Sequence, residues 1–261
     1  MKQYLNITLI QTHLHWQNVD ENLKHFSALI QSINEPTDLI VLPEMFTTGF
    51  TMEPELNAET HGGKGLVWMQ HVAQEKKCAI TGSISIKENN QYYNRLYFVF
   101  PDGSYQSYNK RHLFRMGNEH EHYTAGDTKI IVDYLGWKIC PLVCYDLRFP
   151  VWSRNTTQNT YDVLLYVANW PEVRTYPWQQ LLIARSIENQ SYVIGLNRTG
   201  LDGNNINHSG DSLALSPKGE ILSKFTANNA KSETVSLNYT ALQEFRKLFP
   251  AMLDADDFEI H

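Results

Sequence analysis

Hydrophobic and polar positions along this chain switch between a period of two and a period near 3.6, and the switches outline its elements. Residues 6–11 read as a first strand. From Asn22 to Ile33, the side chains Leu23, Phe26, Leu29, Ile30 and Ile33 fall on one helical face. Asp38 to Leu42 is a short apolar run stopped by Pro43, the pattern of a buried strand that ends there. Residues 65–76 have helical spacing. Cys78 to Ile86 and Tyr92 to Phe100 read as strands around a turn at 87–91, and Pro101-Asp102-Gly103 marks another turn. Lys129 to Asp133 and Trp137 to Val143 flank Tyr134-Leu135-Gly136 as a hairpin. Tyr161 to Ala168 is an apolar strand, Pro177 to Gln190 a helix and Tyr192 to Asn197 a strand. Ser216-Pro217-Lys218-Gly219 turns between two further short strands.

Strands and helices mixed throughout imply an α/β or α+β fold with helices covering sheet faces. Periodicity by itself leaves open a doubly wound sheet or a two-sheet sandwich. With no internal repeat and no Pro/Gly/Ser-rich linker, residues 1–261 are expected to form a single domain. Composition changes this picture little: 42% hydrophobic and 19% charged residues are ordinary for a globular protein. The net charge of −6, with Lys and Arg scattered, argues against a nucleic-acid partner. Met1 to Leu5 do not open a secretory signal, and no run approaches the roughly 18 apolar residues of a membrane span. Three cysteines without zinc-type spacing fit a reducing compartment, so a cytoplasmic location with free thiols is expected.

Three positions could carry chemistry. Glu44, in Leu42-Pro43-Glu44, lies just past an apolar strand, where ligands bind in α/β folds; taken alone, it reads more readily as a solvated loop carboxylate. Lys110, in Asn109-Lys110-Arg111-His112-Leu113-Phe114, taken alone reads as a surface charge. Cys144 follows Leu142-Val143 and precedes Tyr145-Asp146-Leu147-Arg148-Phe149-Pro150. Pro150 suits a first helical position, so Cys144 is expected at a strand-to-helix turn with backbone N–H groups nearby. That setting suits an attacking sulfur and an oxyanion site. Cys78 and Cys140 read as small core residues.

The order Glu, Lys, Cys, each at the end of an apolar strand, resembles the nitrilase superfamily of carbon–nitrogen hydrolases over nearly the whole chain. Ala184-Arg185-Ser186-Ile187-Glu188-Asn189-Gln190, Gly210-Asp211-Ser212 and Ser216–Ile221 add to the likeness. Within the superfamily the chain is most similar to the omega-amidase branch, through Arg111–Met116, Val151–Asn155, Val167-Ala168-Asn169-Trp170-Pro171 and the C-terminal Phe249-Pro250 with Asp254-Ala255-Asp256. The resemblance implies a four-layer α-β-β-α sandwich, at least a homodimer (eight layers), and no metal or organic cofactor. It implies hydrolysis of the terminal amide of 2-oxoglutaramate or 2-oxosuccinamate through a cysteine thioester. Nitrilase and N-carbamoyl amidase activities, which use the same triad, are the nearest alternatives.

The same resemblance gives roles to residues. Glu44 is then the general base, Cys144 the nucleophile, and Lys110 with the Tyr145 backbone N–H the oxyanion stabiliser. A second glutamate, seven residues before a glycine, positions the lysine; Glu119 fits, with Tyr123 four on and Gly126 seven on, and Glu121 is its competitor. Arg148 is a candidate for a substrate carboxylate, or pairs with a structural glutamate such as Glu188; Trp170 is a candidate pocket wall.

The same sequence admits rival chemistries. Asn118-Glu119-His120-Glu121-His122 invites a metal-dependent hydrolase, and His13 and His15 form an i, i+2 pair, but no H-E-x-x-H or Cys-pair framework accompanies them. His112 is the nearest partner for a Cys–His hydrolase. A non-catalytic binding protein on the same fold is expected only where one of Glu44, Lys110 and Cys144 is lost, and all three are present.

Overall fold

A computed structural model describes residues 1–256, 258 and 259. In its first half, chain order runs β1 (Tyr4–Gln11), α1 (Val19–Gln31), β2 (Leu39–Val41), α2 (Pro54–Asn57), β3 (Glu59–Thr60), α3 (Lys64–Lys76), β4 (Ala79–Glu88), β5 (Gln91–Val99), β6 (Tyr105–Asn109) and α4 (Glu119–His122). The second half adds β7 (Val132–Tyr134), β8 (Trp137–Val143), α5 (Pro150–Ser153), β9 (Val163–Ala168), α6 (Thr175–Asn189), β10 (Tyr192–Asn197), β11 (Thr199–Leu201), β12 (Asn207–Ser209), β13 (Leu213–Leu215), β14 (Lys231–Asn238) and α7 (Tyr239–Leu248).

A seven-stranded sheet has the order β14-β1-β2-β4-β5-β6, with β3 beside β4, and a five-stranded sheet has the order β13-β10-β9-β8-β7. Strands β1, β2 and β4 are parallel, as are β8, β9 and β10. The two-residue period separates two cores. Leu39 and Val41 of β2 and Leu96 and Phe98 of β5 join Leu142, Leu165 and Leu196 of the second sheet in one cluster. The alternate residues Ile40, Tyr97 and Val99 join Phe26 and Ile30 of α1 and Leu66, Met69 and Val72 of α3 in another. Side chains pointing to opposite faces of a strand thus fill different layers. Helix α6 covers the far side, laying Trp178 and Leu182 against Gly195 of β10. The result is the α-β-β-α sandwich that the resemblance implied.

Most elements lie where their pattern placed them, and the differences have local causes. Helix α1 starts at Val19 because Asn18 caps it, its side chain accepting from the Glu21 N–H. The turn between β4 and β5 is tighter than 87–91: Glu88 pairs with Gln91, and Asn89 and Asn90 both have positive φ, the type I′ pattern. Tyr134 likewise pairs with Trp137, leaving Leu135-Gly136 as a two-residue turn with positive φ at both. Strand β14 had no strong apolar signal, because only Val235 and Leu237 of it are buried; it is held as the antiparallel partner of β1.

A Cβ on Gly195 would sit 2.5 Å from one Leu182 methyl and 2.8 Å from the other. Gly195→Ala is therefore expected to lower stability by about 1–3 kcal/mol through overpacking beneath α6. Chemical denaturation of the two proteins checks this; an unchanged midpoint would show that α6 yields without cost.

Candidate functional site

Several strand ends bring polar groups to one edge of the two sheets. Glu44 follows β2, Lys110 follows β6, Cys144 follows β8 at once, and Asn169 follows β9. In a parallel sheet this edge is where the chain leaves the core and where side chains can converge on a ligand. Glu44, Lys110 and Glu119 have no exposed surface, whereas Cys144 keeps 8%.

Lys110 Nζ donates to Glu44 Oε1 at 2.8 Å and to Glu119 Oε1 and Oε2 at 3.0 and 2.9 Å. The Phe50 ring lies 5.1 Å from the ammonium. Burial alone would pull the Lys110 pKa down, but the charges of Glu119 and Glu44 outweigh it and hold the ammonium above its usual range. The Glu119 pKa is raised by burial and, further, by Glu44, with Lys110 opposing. Glu119 also accepts from the Phe114 N–H at 2.6 Å. The Gly126 N–H donates to Lys110 O at 2.9 Å, and a Cβ on Gly126 would lie 2.2 Å from Asn109 O. The glutamate-to-glycine spacing thus reflects a clamp: Glu119 takes the lysine side chain while Gly126 passes against the lysine backbone.

Two asparagines that were not read from the sequence complete the frame. Asn94 Nδ2 bridges Glu44 Oε1 at 2.8 Å and Glu119 Oε1 at 3.2 Å. The Asn169 N–H donates to Glu44 Oε2 at 2.8 Å, and its side-chain amide donates to the Glu44 carbonyl. An asparagine inside the strand β5, or ending the apolar run of β9, was the available signal, since Asn is depleted in strands.

Cys144 has φ +44° and opens a 3₁₀ turn, Cys144–Arg148, before α5 begins at Pro150. Asp146 sets this turn: its Oδ2 accepts from the Val143 N–H at 3.0 Å and from the Tyr108 hydroxyl at 2.8 Å. The thiol lies well above its usual pKa, because it is buried and because Glu44 is beside it, with Lys110 opposing. At rest it is a protonated thiol next to a carboxylate, the arrangement that lets a base remove the proton as the sulfur attacks.

Cys144 opens into a cavity of about 190 Å³, walled by Phe50, Phe114, Tyr145, Arg148, Trp170 and Arg174, with the loop between β11 and β12 at its rim. Arg148 lies over the Trp170 ring at 5.1 Å and Arg174 over the Phe114 ring at 5.7 Å. Glu188 pairs with Arg185 at 2.9 Å, so it is not the partner of Arg148. Arg174, His208 and the β11–β12 loop were not singled out by sequence; they come from segments distant in the chain with no motif of their own.

The other chemistries fare differently. Glu121 is exposed, apart from the Glu119–Lys110 pair. The Glu119–His122 stretch does not converge; among the described residues, the one group of three or more His, Cys, Asp or Glu side chains close enough to share an ion is His13, His15 and His25. His112 Nδ1 is bound to Asp146 Oδ1 at 2.8 Å and its ring stacks on Phe149, which commits it to the turn below Cys144.

The profile of one family, Carbon-nitrogen hydrolase, matches residues 6–247. The chain belongs to this family of carbon–nitrogen hydrolases. It is 48% identical over 256 residues to the omega-amidase YafV of Escherichia coli K12, covering 98% of each chain. It is 34% identical over 222 residues to the 2-oxoglutaramate amidase of Bacillus subtilis, covering 84% of this chain and 85% of that one. Among solved structures, XC1258 of Xanthomonas campestris, a CN-hydrolase superfamily protein with an arsenic adduct in its active site, superposes with a TM-score of 0.97 at 40% identity over 100% of both chains.

Removing the Glu44 charge from this hydrolase separates electrostatics from proton transfer. Glu44→Gln is expected to lower the Cys144 pKa, because a neighbouring negative charge is gone, and yet, if Glu44 serves as the general base, to reduce turnover about 10²–10⁴-fold. The pH dependence of iodoacetamide alkylation reads the first and steady-state assay the second. An upward shift of the thiol, or retained turnover, would remove Glu44 from the role.

Proposed function

We propose that this protein is an omega-amidase, hydrolysing the terminal amide of short 2-oxo dicarboxylic acid monoamides such as 2-oxoglutaramate and 2-oxosuccinamate to the dicarboxylate and ammonia. The observation that carries the reading is the Cys144 side chain at the base of a small cavity, backed by a dry Glu44–Lys110–Glu119 cluster. The full-length similarity to the omega-amidase YafV supports the amide class, and the similarity to the Bacillus amidase supports the 2-oxo acid.

Glu44 takes the Cys144 proton as Sγ attacks the amide carbon. The oxyanion is held by Lys110 Nζ and the Tyr145 N–H, fixed donors in a site from which water is largely excluded. Glu44 then delivers its proton to the departing nitrogen, ammonia leaves and a thioester remains. Water, deprotonated by Glu44, attacks the thioester; collapse releases the acid and returns the proton to sulfur. Glu119 positions Lys110. Arg148, aligned on Trp170, meets the substrate carboxylate, and Arg174 across the cavity offers a second positive charge.

The single-domain reading of the chain is supported among the described residues by one cluster of buried side chains that joins both sheets. Helix α6 exposes Ile187, and the C-terminal segment exposes Leu248, Phe249 and Leu253, apolar surface suited to pairing two copies as a homodimer. Light scattering should give twice the chain mass of 30.2 kDa; a monomer at micromolar concentration would end that part of the proposal. Among the described residues no helix is long and apolar enough to cross a membrane. A cytoplasmic location is proposed from the free cysteines, and cell fractionation tests it.

Ammonia release from 2-oxoglutaramate, with and without EDTA, is the deciding assay. Turnover should survive EDTA and fall to background in Cys144→Ala. Glu119→Gln should reduce it about 10²–10³-fold by misplacing the oxyanion donor, while Glu121→Gln should leave it unchanged. Arg148→Ala should raise KM about 10- to 100-fold, the loss of one charged hydrogen-bonding partner. Loss of activity with EDTA, or activity in Cys144→Ala, would overturn the mechanism. Turnover of nitriles or carbamoyl compounds in place of the oxo-amide would keep the mechanism and replace the substrate.

A further inference from the structure

The segment joining β1 to α1 gathers side chains that amide hydrolysis does not use. Residues 12–15 continue β1 without a strand partner ladder. His13 and His15 project together while Leu14 between them is buried, as alternation along extended backbone requires. His25, on α1, meets them: ring centroids are 5.1 Å apart for His13 and His15, 4.4 Å for His13 and His25, and 5.6 Å for His15 and His25. One ring nitrogen from each lies within 4.8 Å of the others.

The backbone beneath this group is held in place. Asn22 Nδ2 donates to His15 O at 2.7 Å and to Thr47 O at 2.8 Å, and its Oδ1 accepts from the His15 N–H at 2.8 Å. His25 Nε2 is hydrogen-bonded to Thr12 Oγ1 at 2.8 Å, which fixes that ring. His13 is exposed while His15 and His25 are half-buried, which leaves one side open to water.

We propose that His13, His15 and His25 form a binding site for a borderline divalent transition-metal ion of the Zn²⁺ type, outside the cavity that holds Cys144. Three imidazoles and a water make a tetrahedral set with metal–nitrogen distances of about 2.0–2.1 Å, reached by small side-chain rotations that draw the three nitrogens inward. The Arg198 guanidinium nearby opposes a cation and keeps the affinity moderate. The same segment supports the cavity rim. Thr199 N–H donates to Thr12 O at 2.9 Å, and Trp16 packs so closely under the β11–β12 loop that a Cβ on Gly203 would lie 2.2 Å from its indole nitrogen. A bound ion therefore braces the base of that rim.

Zn²⁺ titration of the full chain, stripped with chelator and carrying Cys144→Ala so that this thiol contributes no ligand, tests the site. Calorimetry should show one saturable equivalent, and melting should rise by about 5 °C or more at saturation. His13→Ala, at an exposed ring, should weaken binding roughly tenfold or more without changing the metal-free melting temperature. If that variant proves less stable, His13→Gln, which removes the ligand and keeps polarity, gives the same reading. Absence of saturable binding, or equal affinity in the His13 variants, would overturn the proposal.

Discussion

A fully buried ammonium is the constraint around which this structure is arranged. Lys110 has no access to water, and an unpaired charge there would be strongly destabilising. It is compensated by two carboxylates that come from separate stretches of chain, Glu44 after β2 and Glu119 on α4. Asn94, from β5, ties those carboxylates to each other. Each of these charges is poorly tolerated in a dry interior by itself, and together they compensate one another. The cluster therefore requires the first sheet and the loops beyond its edge to assemble in one geometry.

The sandwich delivers the remaining partner. Cys144 arrives from the second sheet, on the end of β8, and Asn169 arrives beside it on the end of β9. Asn169 hydrogen-bonds Glu44, so it joins the two sheets at the site as well as in the core. Met45, just after Glu44, and Cys144 have φ of +43° and +44°, left-handed conformations that non-glycine residues rarely adopt. Such strain costs of order 1–3 kcal/mol and persists only where the surroundings impose it. At Cys144 the surroundings are Asp146 and its donors, which hold the turn from below.

Electrostatics then divides the work between the interior and the cavity. The charged cluster of Glu44, Lys110 and Glu119 lies behind the sulfur, without solvent contact, while the cavity in front is lined by aromatic rings and two arginines. A low-dielectric back and a cationic front suit a small anionic substrate whose neutral amide faces the sulfur. The histidine group beside Trp16 belongs to neither region, yet it shares backbone contacts with the rim of the cavity.

Most of the element order, helix α1, the strands β8 and β10, and the positions of Glu44, Lys110 and Cys144 were legible along the chain, because each depends on local period or on a motif of adjacent residues; Glu119 came from the resemblance, with Glu121 as its competitor. The two-residue turns at Asn89-Asn90 and Leu135-Gly136 were read one or more residues too long, since positive φ at a non-glycine residue leaves little trace in composition. Asn94, Asn169, Arg174 and the convergence of His25 on His13 and His15 were not legible; nothing local distinguishes them. By itself the sequence determined which residues alternate toward a core, where helices and strands start, and which side chains could do chemistry. Only the tertiary structure decided that one face of each sheet meets the other, that Glu119 rather than Glu121 takes the lysine, and that the thiol rests protonated. Those outcomes depend on burial and on distances between groups far apart in the chain, and neither quantity exists until the layers have packed.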